Sequence, residues 1–334
     1  MQRLSMERPP GLGYNLFWKG VFLGIIFLFS YLVYFASQSV EYTWRWYRVP
    51  QYFYYTAKID VTSPLEGEIR SITEDKDGIK VVIKGEEEET ISLPAKSELL
   101  LSEGDYVYPG DKIGFYKKGK PGLFLVGLYI TLEVSVLAII LGIIIGLLTG
   151  LARISKNPAL RYLAITYIEI IRGSPLLVQI FLWYFVVGTL VNAILSKYGF
   201  PPIPSLWYGV ISLAIFSGAY IAEIVRAGIQ SVSKGQMEAA RSLGLSYAQA
   251  MRKVILPQAF RRILPPLAGQ FISLIKDSSL LGVIAIRELT KATREIVTTS
   301  LQPFEMWIVC ALLYLVLTFT LSMFVQYLER KAIL

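Results

Sequence analysis

Ionisable residues are scarce in the apolar stretches of this chain, and they come in groups. Glu169 and Arg172 precede Gly173-Ser174-Pro175, Glu223 and Arg226 stand three apart, and Lys276, Asp277 and Ser278 are consecutive. A guanidinium holds a carboxylate bidentately and a carboxylate holds an ammonium, so Arg172 and Asp277 suit the two ends of a zwitterion. The same residues could form a structural ion pair with each other. The two readings are compatible, because a zwitterion could insert into the pair. Glu223 and Arg226 read first as an i,i+3 pair at a membrane interface. Lys276–Asp277–Ser278 offers a faint Ser/Lys nucleophile, but neighbours in sequence point to different helix faces. The chain has no His and one Cys, Cys310. That excludes Ser-His-Asp and Cys-His catalysis, the common zinc sites and any disulfide within one chain. No catalytic residue and no metal ligand is assigned.

The elements that must position these groups are membrane spans. Of 334 residues, 54% are apolar and 17% charged, with mean hydropathy +0.51. Soluble domains carry about 25% charged residues. Spanning the hydrocarbon takes about 20 apolar helical residues. Six segments qualify, roughly 20–38, 123–151, 162–190, 205–227, 265–286 and 306–327. The first also resembles a signal-peptide core, but bulky Tyr31, Tyr34 and Phe35 crowd the would-be cleavage end, which favours an uncleaved anchor over residues 1–40.

Charge sets the orientation. Net charge is +2 over residues 1–20 (Arg3, Glu7, Arg8, Lys19), +3 between the second and third spans (Arg153, Lys156, Arg161), +6 over 226–262 and +1 in the tail. The opposite side carries −3 over 41–120, +1 from Lys197 and 0 over 287–305. The positive side is cytoplasmic, so both termini are expected inside. The overall +8 is spread over loops and forms no basic patch interleaved with exposed aromatics, so nucleic acid is not a partner.

Residues 41–122 differ in composition from the rest. Over 41–120 there are 12 Lys/Arg and 15 Asp/Glu, and short β-rich runs alternate with turn signals at Asp77-Gly78, Gly104-Asp105 and Gly110-Asp111. This predicts a small extracytoplasmic β-domain from about 57 to 117. It stands on an aromatic stalk (Trp44, Trp46, Tyr47, Tyr52, Tyr54, Tyr55) at the membrane interface. The run Ser63–Ile69 with Glu103–Val107 and Gly110–Ile113 is similar to the biotinyl/lipoyl-type barrel-sandwich hybrid, but the Met-flanked carrier lysine is absent. A spacer or docking module is expected, with Glu86–Glu89 as a solvated loop.

Within the spans, Gly142, Gly146 and Gly150 fall on one helical face and predict a helix-packing seam. Arg172 lies about 15 Å from Tyr162 along a helix, near mid-membrane, where a charge costs at least about 2.5–3.5 kcal/mol on insertion scales. Pro175 predicts a kink there. In the cytoplasmic loop 229–262, Ser233/Gln236 and Ser246/Gln249 fit capping boxes, Gly244 fits a helix C′ position, and Pro257 reads as a stop. A helix–turn–helix over about 234–243 and 247–256 follows.

That loop resembles a family signature. Glu238-Ala239-Ala240, three residues, Gly244, nine residues, then Val254-Ile255-Leu256-Pro257 is similar to the E-A-A-x3-G-x9-I-x-L-P motif of bacterial ABC importer permeases, with Val254 in place of Ile. The stretches 171–179, 217–226 and 275–280 resemble the polar amino-acid branch. The resemblance covers about 123–330 and is silent on the first span and the β-domain, which it lacks.

It implies that Glu238, Ala239, Ala240, Gly244 and Pro257 serve ATPase coupling. Glu169, Arg172, Glu223, Lys276 and Asp277 are the substrate-path candidates. It further implies an ABC ATPase subunit dimer that binds ATP and Mg, a second permease subunit, same or homologous, and an extracytoplasmic amino-acid-binding protein. The setting is a bacterial-type cytoplasmic (inner) membrane. This chain has no G-x4-G-K-[ST] loop, so it cannot be the ATPase; no cofactor in this chain and no enzymatic activity of its own are expected, with ATP hydrolysis in the partner subunit.

The expected fold is an all-α polytopic membrane protein of six transmembrane helices with a small inserted β-domain. The permease domain occupies 123–334. The expected function is the permease subunit of an ATP-driven importer of polar or charged amino acids. A non-transporting membrane adaptor built around the β-domain is the rival reading, and it leaves the loop signature unexplained.

Overall fold

The structure, a computed structural model, describes residues 12–75 and 78–333. Arg3, Glu7, Arg8 and the turn residue Asp77 lie outside the described residues, as do the side chains of the charged tail. Among the described residues, six helices are long and apolar enough to cross a membrane: Leu16–Ser39, Leu123–Arg153, Leu176–Lys197, Ser205–Gln230, Tyr247–Ile284 and Pro303–Tyr327. The helix α1 (Leu12–Ser39) and the residues after it to Tyr47 form one unit, and Arg48 onward forms another.

A short 3-10 turn, Trp46–Tyr52, straddles that boundary, and among the described residues of the second unit come seven strands: β1 (Tyr54–Thr62), β2 (Gly67–Asp75), β3 (Gly78–Lys84), β4 (Glu88–Leu93), β5 (Ser97–Leu99), β6 (Tyr106–Val107) and β7 (Lys112–Pro121). They form a three-stranded sheet, β1-β7-β5, and a four-stranded sheet, β4-β3-β2-β6. Ile69, Val81, Ile83, Val107 and Ile113 are buried as their core. The domain is longer than the predicted 57–117. Tyr54 and Tyr55 are strand residues opposite Pro121 and Lys120, not stalk, because the β1–β7 ladder runs down to the start of the next helix. Glu88 and Glu89 likewise belong to β4 rather than to a loop, though they stay exposed. Gly104 and Gly110 have φ of +92° and +96°. The Asp after each takes an N–H three residues back, Ser102 N at 2.7 Å and Tyr108 N at 2.8 Å. The two Gly-Asp pairs are therefore turns, as predicted.

Helix α2 (Leu123–Arg153) follows directly. Gly122 donates its N–H to Phe53 O at 2.7 Å, and Phe124 packs on Tyr52 and Phe53. A Cβ on Gly122 would collide with the Tyr52 carbonyl, so only glycine lets the strand close onto the helix. Next come α3 (Pro158–Gly173), then α4 (Leu176–Phe181), a π turn at Leu182–Gly188 and α5 (Thr189–Lys197), and then α6 (Ser205–Gln230). A Cβ on Gly146 would lie 2.6 Å from Ile221 Cβ, and one on Gly150 2.8 Å from Ala222 O. The glycine seam thus holds α2 against α6, and the rising partner numbers show the two helices run parallel.

The third predicted span, 162–190, is not one kinked helix. Helix α3 ends at Gly173, Ser174 is extended (φ −117°, ψ 146°), and a new helix starts after Pro175. Proline disfavours helical geometry at its predecessor and has no backbone N–H to donate across the gap. Gln179 Nε2 covers the orphaned carbonyls instead, donating to Ile171 O at 2.7 Å and Ser174 O at 3.2 Å.

Beyond α6 the chain forms α7 (Lys234–Ser242), α8 (Tyr247–Ala250), a π turn at Met251–Ile255, α9 (Leu256–Asp277), a 3-10 turn at Ser278–Ile284, α10 (Leu289–Ser300) and α11 (Pro303–Ile333). Pro257 does not stop the second hairpin helix. The π turn shifts the hydrogen-bond register just before it, so proline falls at the opening of α9, where its missing N–H costs little. Hairpin helix and span are continuous from Tyr247 to Ile284. The Ser246/Gln249 capping box is present, whereas Ser233 makes no side-chain cap.

Candidate functional site: the coupling loop and the charged clefts

Two sites can be built from these elements. The first is the loop between α6 and α9. Helix α7 closes in a Schellman turn: Gly244 N donates to Arg241 O at 3.0 Å and Leu245 N to Ala240 O at 3.2 Å. Gly244 has φ +84°, a left-handed conformation that costs any residue with a Cβ about 1–2 kcal/mol. The turn bends the chain so that α7 packs back on the π turn. Ala240 is buried in that contact, while Glu238, Ala239 and Leu243 face outward, Leu243 at 84% exposure. Behind it Ile154, Met237, Tyr247, Met251 and Ile255 line a cleft of about 360 Å³.

The second site gathers the charges. Glu223 on α6 is bracketed by two arginines. Arg226 donates from Nε at 2.9 Å and from Nη2 at 2.8 Å to Oε2, and Arg153 Nε, from the end of α2, lies 2.8 Å from Oε1. The three side chains are 17–31% exposed. The i,i+3 pair is present, and a third member, Arg153, joins it from another helix. Arg153 was legible only as a basic loop residue. The seam could have found it: Gly150 meets Ala222 and Val225, which puts Arg153, three residues on, beside Glu223 and Arg226.

Arg172 ends α3 and sits 5.1 Å over the ring of Tyr220. It lines one open cleft of about 590 Å³ together with Glu223, Arg226, Ser231, Arg262 and Pro266. Arg262 donates to the Ser231 carbonyl. Neither Tyr220 nor Arg262 was singled out from sequence. Glu169 is exposed on α3. No ion pair joins Arg172 to Asp277 among the described residues, so the structural-pair alternative for these two is absent. Asp277 is half-buried at the end of α9. Its neighbour Lys276 opens into a different cleft of about 270 Å³ with Ser279, Thr290, Trp307 and Tyr314. Of the five path candidates, therefore, the fold brings Arg172 and Glu223 together and sends Lys276 elsewhere.

A further polar centre caps α10. The fully buried Glu288 accepts Thr290 N and Lys291 N, both at 2.7 Å, and the Tyr314 hydroxyl at 3.0 Å. Burial pushes its carboxyl above the ordinary range, and these bonds oppose the shift. Its sequence signal was weak, since Glu288 sits among loop residues outside any span.

Comparison with known proteins bears on both sites. Residues 138–334 match the family described as binding-protein-dependent transport system inner membrane component. The chain is 44% identical over 209 residues to the probable glutamine ABC transporter permease protein GlnM of Bacillus subtilis, covering 63% of this chain and 93% of that protein. It is 41% identical over 209 residues to the glutamine transport system permease protein GlnP of Escherichia coli K12, covering 63% and 92%. It is also 41% identical over 206 residues to the L-cystine transport system permease protein TcyB of B. subtilis, covering 61% and 84%. Among solved structures, that of an amino acid ABC transporter with histidines superposes with a TM-score of 0.55 at 42% identity, over 63% of this chain and 94% of the other. The β-domain precedes the matched region. The exposed, capped loop and the helices that carry it thus belong with these relatives, and the chain is a member of the binding-protein-dependent ABC importer permeases, in their polar amino-acid branch.

Proposed function

We propose that this permease carries a polar amino acid of the glutamine or cystine type across a bacterial cytoplasmic membrane. It works with a second permease subunit, two ATPase subunits that bind ATP and Mg, and an extracytoplasmic binding protein. Support for the cargo comes from the names of relatives at 41–44% identity. The observation that carries the coupling role is the capped hairpin with Leu243 outward and Gly244 left-handed. In this reading Glu238, Ala239, Ala240 and Gly244 form the surface that an ATPase moves, and Pro257 lets that movement pass into α9 without a break. Arg172, Glu169 and Glu223 face the cargo on one side, and Lys276 and Asp277 on another. Contact is transient, because tight binding to one state opposes release.

Both termini lie in the cytoplasm, as the charge bias supports. The β-domain is a barrel-sandwich-like spacer or docking module outside the membrane, which its two sheets and private core support.

Replacing Gly244 by Trp tests the coupling role. The side chain forces φ +84° on a residue that resists it and crowds the docking face. In vesicles holding the complete importer, cargo-stimulated ATP hydrolysis and uptake should fall at least tenfold while the binding protein keeps its affinity for cargo. Unchanged hydrolysis and uptake would refute it.

A further inference from the structure

The 590 Å³ cleft between α3, α6 and α9 has a charge imbalance that the fold does not use. Liquid water occupies about 30 Å³ per molecule, so the cleft has room for a ligand of many atoms. It is lined by three arginines, Arg172, Arg226 and Arg262, and by one carboxylate, Glu223. That carboxylate is already paired, its Oε2 hydrogen-bonded by Arg226 and its Oε1 within 2.8 Å of Arg153 Nε, though Oε1 makes no hydrogen bond. Arg172 has only the face of Tyr220, and Arg262 only the Ser231 carbonyl, to offset its charge. Two guanidinium groups therefore reach the cleft with no acid to meet them among the described residues. Arginine's planar fork matches a carboxylate with two parallel hydrogen bonds. Glu223 and Arg226 come from the last three turns of α6 and Arg262 from the second turn of α9, next to the α7–α8 hairpin, and Arg172 reaches the cleft from the last turn of α3, so the cleft runs from that hairpin end toward the middle of the path.

We propose that Arg172 and Arg262 form a carboxylate site at the inner mouth of the path, filled from the cytoplasm by the amino acid that has been delivered. Filling it holds α3 and α9 together and slows the next cycle, so uptake falls as product accumulates. The proposal rests on the amino-acid reading above. It also commits to a free carboxylate against the other anion an interfacial arginine meets, a lipid phosphate.

The test uses the complete importer in vesicles preloaded with increasing L-glutamine, or with L-glutamine methyl ester, which lacks the carboxylate. Uptake of labelled L-glutamine is expressed relative to each protein's own rate in unloaded vesicles. For the unsubstituted chain, internal glutamine should slow uptake and the ester should not. Arg262→Gln should raise the internal concentration for half-inhibition at least fivefold. Arg262→Lys keeps the charge and loses the fork, and should raise it two- to threefold; it serves where the Gln variant fails to assemble. Identical inhibition curves for both variants and the unsubstituted chain would overturn the site, as would inhibition by the ester. Inhibition that follows the anionic lipid content of the vesicle rather than internal glutamine would assign the cleft to a headgroup and also overturn it. An unsubstituted importer that takes up no amino acid at all would instead remove the cargo reading, and this site with it.

Discussion

The β-domain and the helical region handle charge in opposite ways. The β-domain's ion pairs, Arg70–Glu88, Lys112–Asp60 and Lys117–Glu98, have side chains 42–61% exposed, where such pairs contribute about 0–1 kcal/mol. The domain is held instead by an apolar core of fully covered residues, Val81 and Ile83 at 0% exposure. In the helical region apolar residues face both the core and the outside, so hydrophobicity alone does not tell one face from the other. There the seam glycines set how close the helices come. One charge there is enclosed and matched, Glu223, by two arginines from different helices, whereas Arg172 and Arg262 are exposed on an open cleft. In the water-exposed domain, then, a charge reports solubility. In the spanning helices it reports either a structural partner or a ligand, which is why the unmatched Arg172 and Arg262 carry more information than the whole acidic run 86–89.

The comparison breaks most visibly if the two cores are not independent. Ile83→Ala removes a buried side chain from the β-domain, at a cost of about 2–5 kcal/mol. Protease added outside right-side-out vesicles should then cut within residues 54–121 much faster than in the unsubstituted protein. Uptake should persist, because the family-matched helices start beyond it. Uptake lost together with protection would make the domain part of the translocation machinery.

A smaller effect separates the two kinds of ion pair. Glu223→Ala leaves Arg153 and Arg226 facing each other in a partly enclosed site. Breaking a fully buried pair costs about 3–5 kcal/mol, and the partial exposure here brings the expected loss to about 2 kcal/mol. Glu88→Ala in the β-domain should stay within about 0.5 kcal/mol. Thermal unfolding of the two variants in the same detergent compares them directly, and equal shifts would erase the distinction.

How much of this was readable in advance follows from the same physics. Segment counts, the glycine seam and the capped loop rest on local rules of period, backbone freedom and hydrogen bonding, so Gly146, Ser246 and Gly244 were legible from their neighbours alone. The helix end at Ser174 and the continuity through Pro257 were misjudged, because proline's effect depends on where the hydrogen-bond register stands. That register is set by a π turn and by Gln179 reaching back across the gap, neither of which has a sequence pattern. The third member of the Glu223 group and the Arg262 wall of the cleft depend on which helices adjoin, and only the fold supplies that. The seam spacing held the needed hint for Arg153; no comparable signal marked Arg262 or Tyr220.

The smallest expected effect concerns Glu288, an enclosed carboxylate outside the spans that sharpens the rule in a third setting. Burial raises its folded-state pKa, and the N–H groups of Thr290 and Lys291 and the Tyr314 hydroxyl act against the rise without cancelling it. A carboxyl that holds its proton more tightly when folded favours the folded state while protonated. This contribution is fully present below the unfolded carboxyl's pKa. It is lost as pH climbs through that value toward the folded one, after which stability levels off. Glu288→Gln keeps an acceptor at the α10 N-cap and removes the titration. Its unfolding temperature should therefore lack the decline that the unsubstituted chain shows with rising pH above the ordinary carboxyl range. Because these three hydrogen bonds oppose the burial, the difference between the two curves should be modest and confined to that window. A parallel pair of curves would mean that the capping bonds fully offset the burial. Glu288 would then behave, although enclosed, like the solvated acids of the β-domain.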